Sequence, residues 1–543
     1  MENFVRTFQD TIVRCWDKKA LSDFHKETIT YAQLGHNVAK MQAFWTAAGL
    51  VKGDKICLYA ASSKNWISVF MAAVSGGFVS VQLFNGFLPS DAENLVNHSD
   101  SKILYLEKRL FDKMNCSNMK NVIAVFDIAT MEMLYGTDEA KSFYAGIDSM
   151  VPTFTKEDVR LFIPEMDDIC AIMYTSGSTG NPKGVMLNVR NFSVNVESLQ
   201  DYFPYYPDSN YVSILPFAHI FGLLCDGIIP VTIGMHETVL GLPPIPANVK
   251  DAMCELKPSI FFAVPLILTK FIDYVVGKQI HTPEGEAKLE DYENNQEFCS
   301  ELHDKVIEAL GGNVELFVTG GAAIPQDLEL LLTRKLQLPF ITGYGMTETC
   351  PLISAGHKGT YKLKSCGEYS HKCVDLKVES QDPEHIAGQV LVKGAAVFQG
   401  YYKNPEATKA AFTEDGWFMT GDMGTVDKDD TLFLVGRCKN MLLSTNGQNI
   451  YPEEIEVLLN QLPYVAESII VQRDTKLVAL IVPNADAATN DNLSAETLAA
   501  IMKQNLVKLN QQVPGYSAVA DYELQTQPFA KTPKGSIRRF LYS

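Results

Sequence analysis

The chain has 543 residues, 46% hydrophobic and 20% charged, with 64 acidic against 46 basic side chains and a formal charge of −18. That length carries two or more domains, and the composition is that of a globular protein with a sizeable core. An acidic field of this size argues against nucleic acid or an anionic membrane as the main partner, while leaving room for a local basic pocket.

The opening stretch, MENFVRTFQD, lacks the charged-then-apolar pattern of a signal peptide, and no apolar run reaches the ~18 residues of a membrane span. At most peripheral membrane contact is expected. Eleven scattered cysteines form no CxxC pair, which points to free thiols in a reducing cytoplasm. Strand and helix patterns then alternate. "DKICLYAA" (Asp54 to Ala61) reads as a buried strand, and "NWISVFMAAVSGG" as a helix ending at Gly76-Gly77. "KILYLE", "NVIAVFD", "DICAIMYTS", "VSILPF", "SIFFAVP" and "VELFVTGG" are further strands, separated by helical stretches. The pattern predicts an α/β fold with more than one stacked sheet. After about residue 360 the strands shorten ("DLKVES", "AGQVLVKG", "TLFLVGR"), as in a small β subdomain completing the large domain. From Lys439 the pattern reads helix, strand, turn, strand, with a helix over Tyr451 to Leu462 and a last helix in "SAETLAAIMKQNLVKLN". The expected division is a domain over 1–438 and a small α+β domain over 439–543.

Within that order, "ICAIMY" runs straight into "TSGSTGNPKG". Glycines at Gly177 and Gly180 let successive N–H groups converge on one point. Thr175, Ser176, Ser178 and Thr179 add hydroxyls, and Lys183 adds a positive charge. Donors without acceptors suit a polyphosphate. The loop is not GxxxxGK[ST], because the position five after Gly177 is Pro182.

This string resembles the phosphate loop of the acyl-adenylate-forming superfamily, which includes fatty acyl-CoA synthetases. Five further motifs follow in that family's order over nearly the whole chain. They are "LPFAHIFG" (Leu215 to Gly222), "VTGGAAIP" (Val318 to Pro325), "GYGMTET" (Gly343 to Thr349), "DGWFMTGD" (Asp415 to Asp422) and "GRCKNMLLSTNGQNIYPEEIE" (Gly436 to Glu456). The resemblance implies a large adenylating domain, a mobile small domain and a two-step reaction using ATP, Mg²⁺ and CoA.

It also implies roles. Gly320, Gly321 and Ala322 would line the adenine pocket with Gly343, Tyr344, Gly345 and Met346. Thr347 would donate to the α-phosphate, and Glu348 would help hold Mg²⁺. Asp422 and Arg437 would bind the ribose. His219, Phe221 and Gly222, with Gly345, would border the acyl pocket. Lys439 would be the hinge, and Gly447 would line the thiol tunnel. One departure stands out. The family's C-terminal lysine follows a glycine, but here Ser536 follows Gly535. Lys534 lies two residues earlier, on the same face of an extended chain and about 6–7 Å away. Lys534 is therefore the expected cation for the first step, with Lys531 or Arg538 as substitutes.

The motifs that border the acyl pocket are mostly apolar and small, which favours a medium- or long-chain fatty acid joined to CoA. An acyl-carrier protein as acceptor, an aromatic acid as substrate, and a non-catalytic nucleotide-binding module are the alternatives. A monomer or homodimer is expected.

Overall fold

The structure, a computed structural model, describes residues 1–175, 182–443, 449–473, 476–531 and 537–542. Its described residues fall into two compact units, one of residues 1–375 and 393–411, the other of 376–392 and 412–542.

The first unit is built on three sheets. The largest has eight strands in the order Gly400–Tyr401, Lys183–Asn188, Ile169–Thr175, Val79–Leu83, Lys55–Tyr59, Ser101–Leu106, Ala124–Asp127 and Met133–Gly136. Its middle pairs are parallel and its outer pairs antiparallel. Val79–Leu83 is buried at every position, as a strand covered on both faces must be. The helix Lys64–Val74 supports it, capped by the Ser63 hydroxyl and buried from Trp66 to Val74. A second sheet takes Ile260–Ala263, Leu316–Thr319 and Phe340–Gly345 in parallel, then Leu352–Ala355 and Glu368–Tyr369 antiparallel. A third has four strands, Asn210–Ser213, His236–Val239, Lys19–Asp23 and Thr28–Thr30. The expected α/β class with more than one sheet is what the chain adopts.

In the second unit, one sheet orders Asp375–Glu379, Gly388–Lys393, Phe418–Val426 and Leu432–Arg437. Another sets Val465–Arg473 against Lys476–Pro483 and Val519–Leu524. Helix Pro452–Leu459 begins at Pro452, where the missing N–H costs nothing, and Ala495–Asn510 is capped by Ser494. Ile455, Leu459, Ile470, Ala479, Ile481, Met502 and Leu509 form the core of this α+β body. Among the described residues no helix is long and apolar enough to cross a membrane. All eleven cysteines are unpaired.

Candidate active site

Strand Ile169–Thr175 pairs with Lys183–Asn188 so that Thr175 stands opposite Lys183. The Thr175 hydroxyl reaches the Lys183 carbonyl at 3.5 Å. These are the two described shoulders of the glycine-rich loop. Ser176, Gly177, Ser178, Thr179 and Gly180 lie outside the described residues.

Lys183 Nζ sits over the Tyr401 ring, 4.7 Å from its centre. The Tyr401 hydroxyl donates to Glu348 Oε1 at 3.0 Å, and the Phe398 N–H donates to the Glu348 carbonyl at 2.8 Å. Burial and the neighbouring carboxylate push the Tyr401 phenol far above its ordinary value, so it stays a donor. Three segments distant in sequence thus meet at one place.

The turn that carries Glu348 is fixed by its backbone. At Gly345 a Cβ would lie 1.8 Å from the Pro351 carbonyl oxygen, so only glycine fits. The Met346 N–H donates to that same oxygen at 3.0 Å. Asn195, fully buried on helix Val189–Tyr202, accepts from the Leu352 N–H at 3.0 Å and donates to the Thr349 carbonyl at 3.3 Å. Asn191, one turn earlier, donates to the carbonyls of Ala395 and Val397 at 2.8 and 3.0 Å. One helix therefore braces both the Glu348 turn and the segment leading to Tyr401. Thr347 is buried within the turn.

Gly320 closes a second junction. A Cβ there would meet the Gly343 carbonyl at 3.1 Å and the Phe221 ring at 3.7 Å. The structure thus brings together the loops expected to line the adenine and acyl pockets, with Gly321 and Ala322, which follow Gly320, exposed and Tyr344, which follows Gly343, half-buried. Phe221 packs edge-on to Phe262, ring centres 5.7 Å apart, and His219 stacks on Phe84 at 5.1 Å. A Cβ on Gly222 would lie 2.4 Å from the Pro216 carbonyl oxygen. Gly222–Ile228 is wound as a π-helix, which places Asp226 fully inside. Its carboxylate accepts from the N–H groups of Ile214 and Leu215 at 2.9 and 2.7 Å and from the Tyr211 hydroxyl at 2.6 Å. Burial pushes its pKa up to about 7 while those hydrogen bonds pull it down. Asp226 anchors the start of "LPFAHIFG", a role the sequence reading missed.

In the second unit, Asp422 and Arg437 are cross-strand partners, joined Oδ1 to Nε at 2.6 Å. Asp422 is buried and Arg437 exposed. Lys439 is exposed, and its neighbour Asn440 donates to Glu453 Oε1. Lys531, one of the substitutes for the tail cation, pairs with Glu467. Gly447, Lys534 and Ser536 lie outside the described residues.

Among the described residues no three His, Cys, Asp or Glu side chains gather to hold a metal alone. Magnesium needs no such cage, since one or two carboxylates and substrate phosphates suffice. Glu348 fits that requirement. Its Oε1 is held by Tyr401, while its Oε2 has no hydrogen-bond partner among the described residues.

Residues 8–402 match the family described as AMP-binding enzyme, and residues 439–542 match the AMP-binding enzyme C-terminal domain. Fatty acyl-CoA synthetase A of Dictyostelium discoideum is 27% identical, over 84% of this chain and 72% of that protein. Long-chain-fatty-acid–CoA ligase 1 of Saccharomyces cerevisiae is also 27% identical, over 88% of this chain and 74% of that protein. The solved structure of ATP-bound MatB from Rhodopseudomonas palustris superposes with a TM-score of 0.77 at 22% identity, covering 99% of this chain and 97% of that one.

Proposed function

The chain belongs to the AMP-binding enzyme family, and from that membership we propose that it is an AMP-forming acyl-CoA synthetase acting on a medium- or long-chain fatty acid. The names of its curated relatives support the acid and the acceptor. The observation that carries the chemistry is the cluster of Lys183, Tyr401 and Glu348.

A carboxylate resists nucleophiles because it is anionic and oxide is a poor leaving group. Its oxygen therefore attacks the α-phosphorus of ATP. The bond from that phosphorus to the bridging oxygen breaks, and pyrophosphate leaves. The CoA thiol, losing its proton, then attacks the acyl carbon and AMP departs. Charge builds on the phosphates in the first step, so positioned cations and donors supply most of the acceleration. Lys183 is assigned to the β- and γ-phosphates with the glycine-rich loop, and Thr347 to the α-phosphate. Glu348 would hold Mg²⁺, which when bound would draw charge from the phosphate oxygens. Tyr344 and Gly320 to Ala322 are assigned to the adenine, and Asp422 with Arg437 to the ribose hydroxyls. His219, Phe221 and Gly222 would border the alkyl chain. Lys439 is assigned as the hinge that precedes thiolysis, Gly447 as the tunnel residue, and Lys534 as the tail cation, with a cytoplasmic site of action.

Pyrophosphate release is to be measured with acids from C2 to C18 and benzoate, with CoA as acceptor. Release peaking in the C8–C18 range with formation of the thioester is expected. A maximum on benzoate, or thioester formed only on an acyl-carrier protein, overturns the substrate or the acceptor respectively.

A further inference from the structure

We propose that Tyr401 is a positioning residue that keeps the charges of Lys183 and Glu348 apart and uncancelled until nucleotide and metal arrive. The proposal rests on the reading above and extends it to a residue outside the family motifs used there.

Lys183 and Glu348 are opposite charges brought to one residue, the first at its ring face and the second at its hydroxyl. Among the described residues neither has an ion-pair partner. Left in contact they would pair with each other, and the site would lose both its phosphate grip and its metal ligand. An aromatic face attracts an ammonium without neutralising it. A phenol O–H likewise orients a carboxylate while leaving its full charge. A lysine or arginine in place of Tyr401 would quench Glu348, and an aliphatic residue would leave the two charges free to collapse together.

Tyr401 is itself held on all sides. It pairs with Val185, two residues from Lys183, so the strand that presents the ammonium also presents the ring. Its N–H donates to the Thr408 hydroxyl at 2.9 Å, and its ring lies 4.9 Å from that of Phe398. The next N–H, of Tyr402, donates to the Gly184 carbonyl at 2.7 Å. Phe398 in turn binds the Glu348 backbone. The segment thus holds Glu348 by its main chain and its side chain at once. Preceding Tyr401, Gly400 has φ of +131°, and a Cβ there would lie 2.7 Å from Thr408 Cγ2. The approach of this segment depends on that glycine.

The test is calorimetric titration of ATP, with and without Mg²⁺, into the full-length protein and its variants. Tyr401→Phe keeps the ring and loses only the hydroxyl. It is expected to bind metal-free ATP as the parent does, and to lose about tenfold in affinity for Mg²⁺-ATP, the effect of a hydrogen bond to a charged group. Tyr401→Leu removes the spacer, and metal-free affinity should fall by about tenfold as Lys183 turns to Glu348. Adding Glu348→Gln to Tyr401→Leu should then restore metal-free ATP binding. Failure of that rescue, or Tyr401→Leu binding both forms as the parent does, overturns the proposal. ATP binding that is intact while no acid supports pyrophosphate release would sink the substrate reading alone. A parent protein that binds no ATP would sink both.

Discussion

Glu456 and Glu348 are carboxylates in different units, and their surroundings are opposite in kind. Glu456 is buried, receives the Arg539 guanidinium on both oxygens and accepts the Ile470 N–H at 2.7 Å. Burial pushes its carboxyl up and the guanidinium pulls it back. Glu348 is half-buried and receives one neutral phenol. A structural carboxylate is cancelled by the fold, whereas one meant for a cation that arrives from outside is oriented but left charged. Two acids in the first unit extend the series. Asp226 is held by three neutral donors inside the protein. Glu237 is fully buried with neither oxygen hydrogen-bonded among the described residues, and burial pushes its carboxyl well above the usual carboxylate range.

The contrast breaks most visibly at Glu348. Glu348→Gln should cut acid-dependent ATP–pyrophosphate exchange by about a hundred- to thousandfold, with thermal stability unchanged. A large loss of stability would mean that this carboxylate is structural. Arg539→Ala should do the reverse in the second unit. It leaves Glu456 buried without its partner and should cost about 3 kcal/mol in denaturant unfolding. No loss would place Glu456 with Glu348 rather than opposite it.

The smallest effect is a slope with pH. Burial raises Asp226 from 3.8 to about 7, so the native state binds its proton more tightly than the unfolded chain. Its contribution to stability is fully present below pH 3.8 and is lost as pH rises through about 7. Asp226→Asn should flatten the fall in melting temperature over that range. An unchanged slope would show that Asp226 does not titrate there.

The sequence disclosed strands where burial on both faces leaves a nearly unbroken apolar run, as in Ile169–Thr175, whereas Val79–Leu83, buried throughout, escaped it because Ser80 and Gln82 interrupt the run. The glycines of "GYGMTET" and "VTGGAAIP" were legible through the resemblance as lining of the adenine pocket, although the backbone they pack against, at Pro351 and Gly343, was not. Helix Val189–Tyr202 shows why bracing residues hide. Asn191, Asn195 and Ser198 form a polar stripe at helical spacing that reads as a solvated face, yet all three are buried. Their partners lie some 150 to 200 residues onward, so no local pattern marks them. Tyr401, in "GYYKNP", is silent for the same reason. Asp226 did leave a trace, as a lone acid inside the apolar run "GLLCDGIIP".

The most direct measurement is exchange of labelled pyrophosphate into ATP by the purified protein, with hexadecanoate or dodecanoate present and absent, beside Glu348→Gln. Exchange that requires the acid and disappears in the variant is the predicted result. Exchange that proceeds without any acid, or persists undiminished in Glu348→Gln, would contradict an uncancelled Glu348 as the carboxylate serving fatty acid activation.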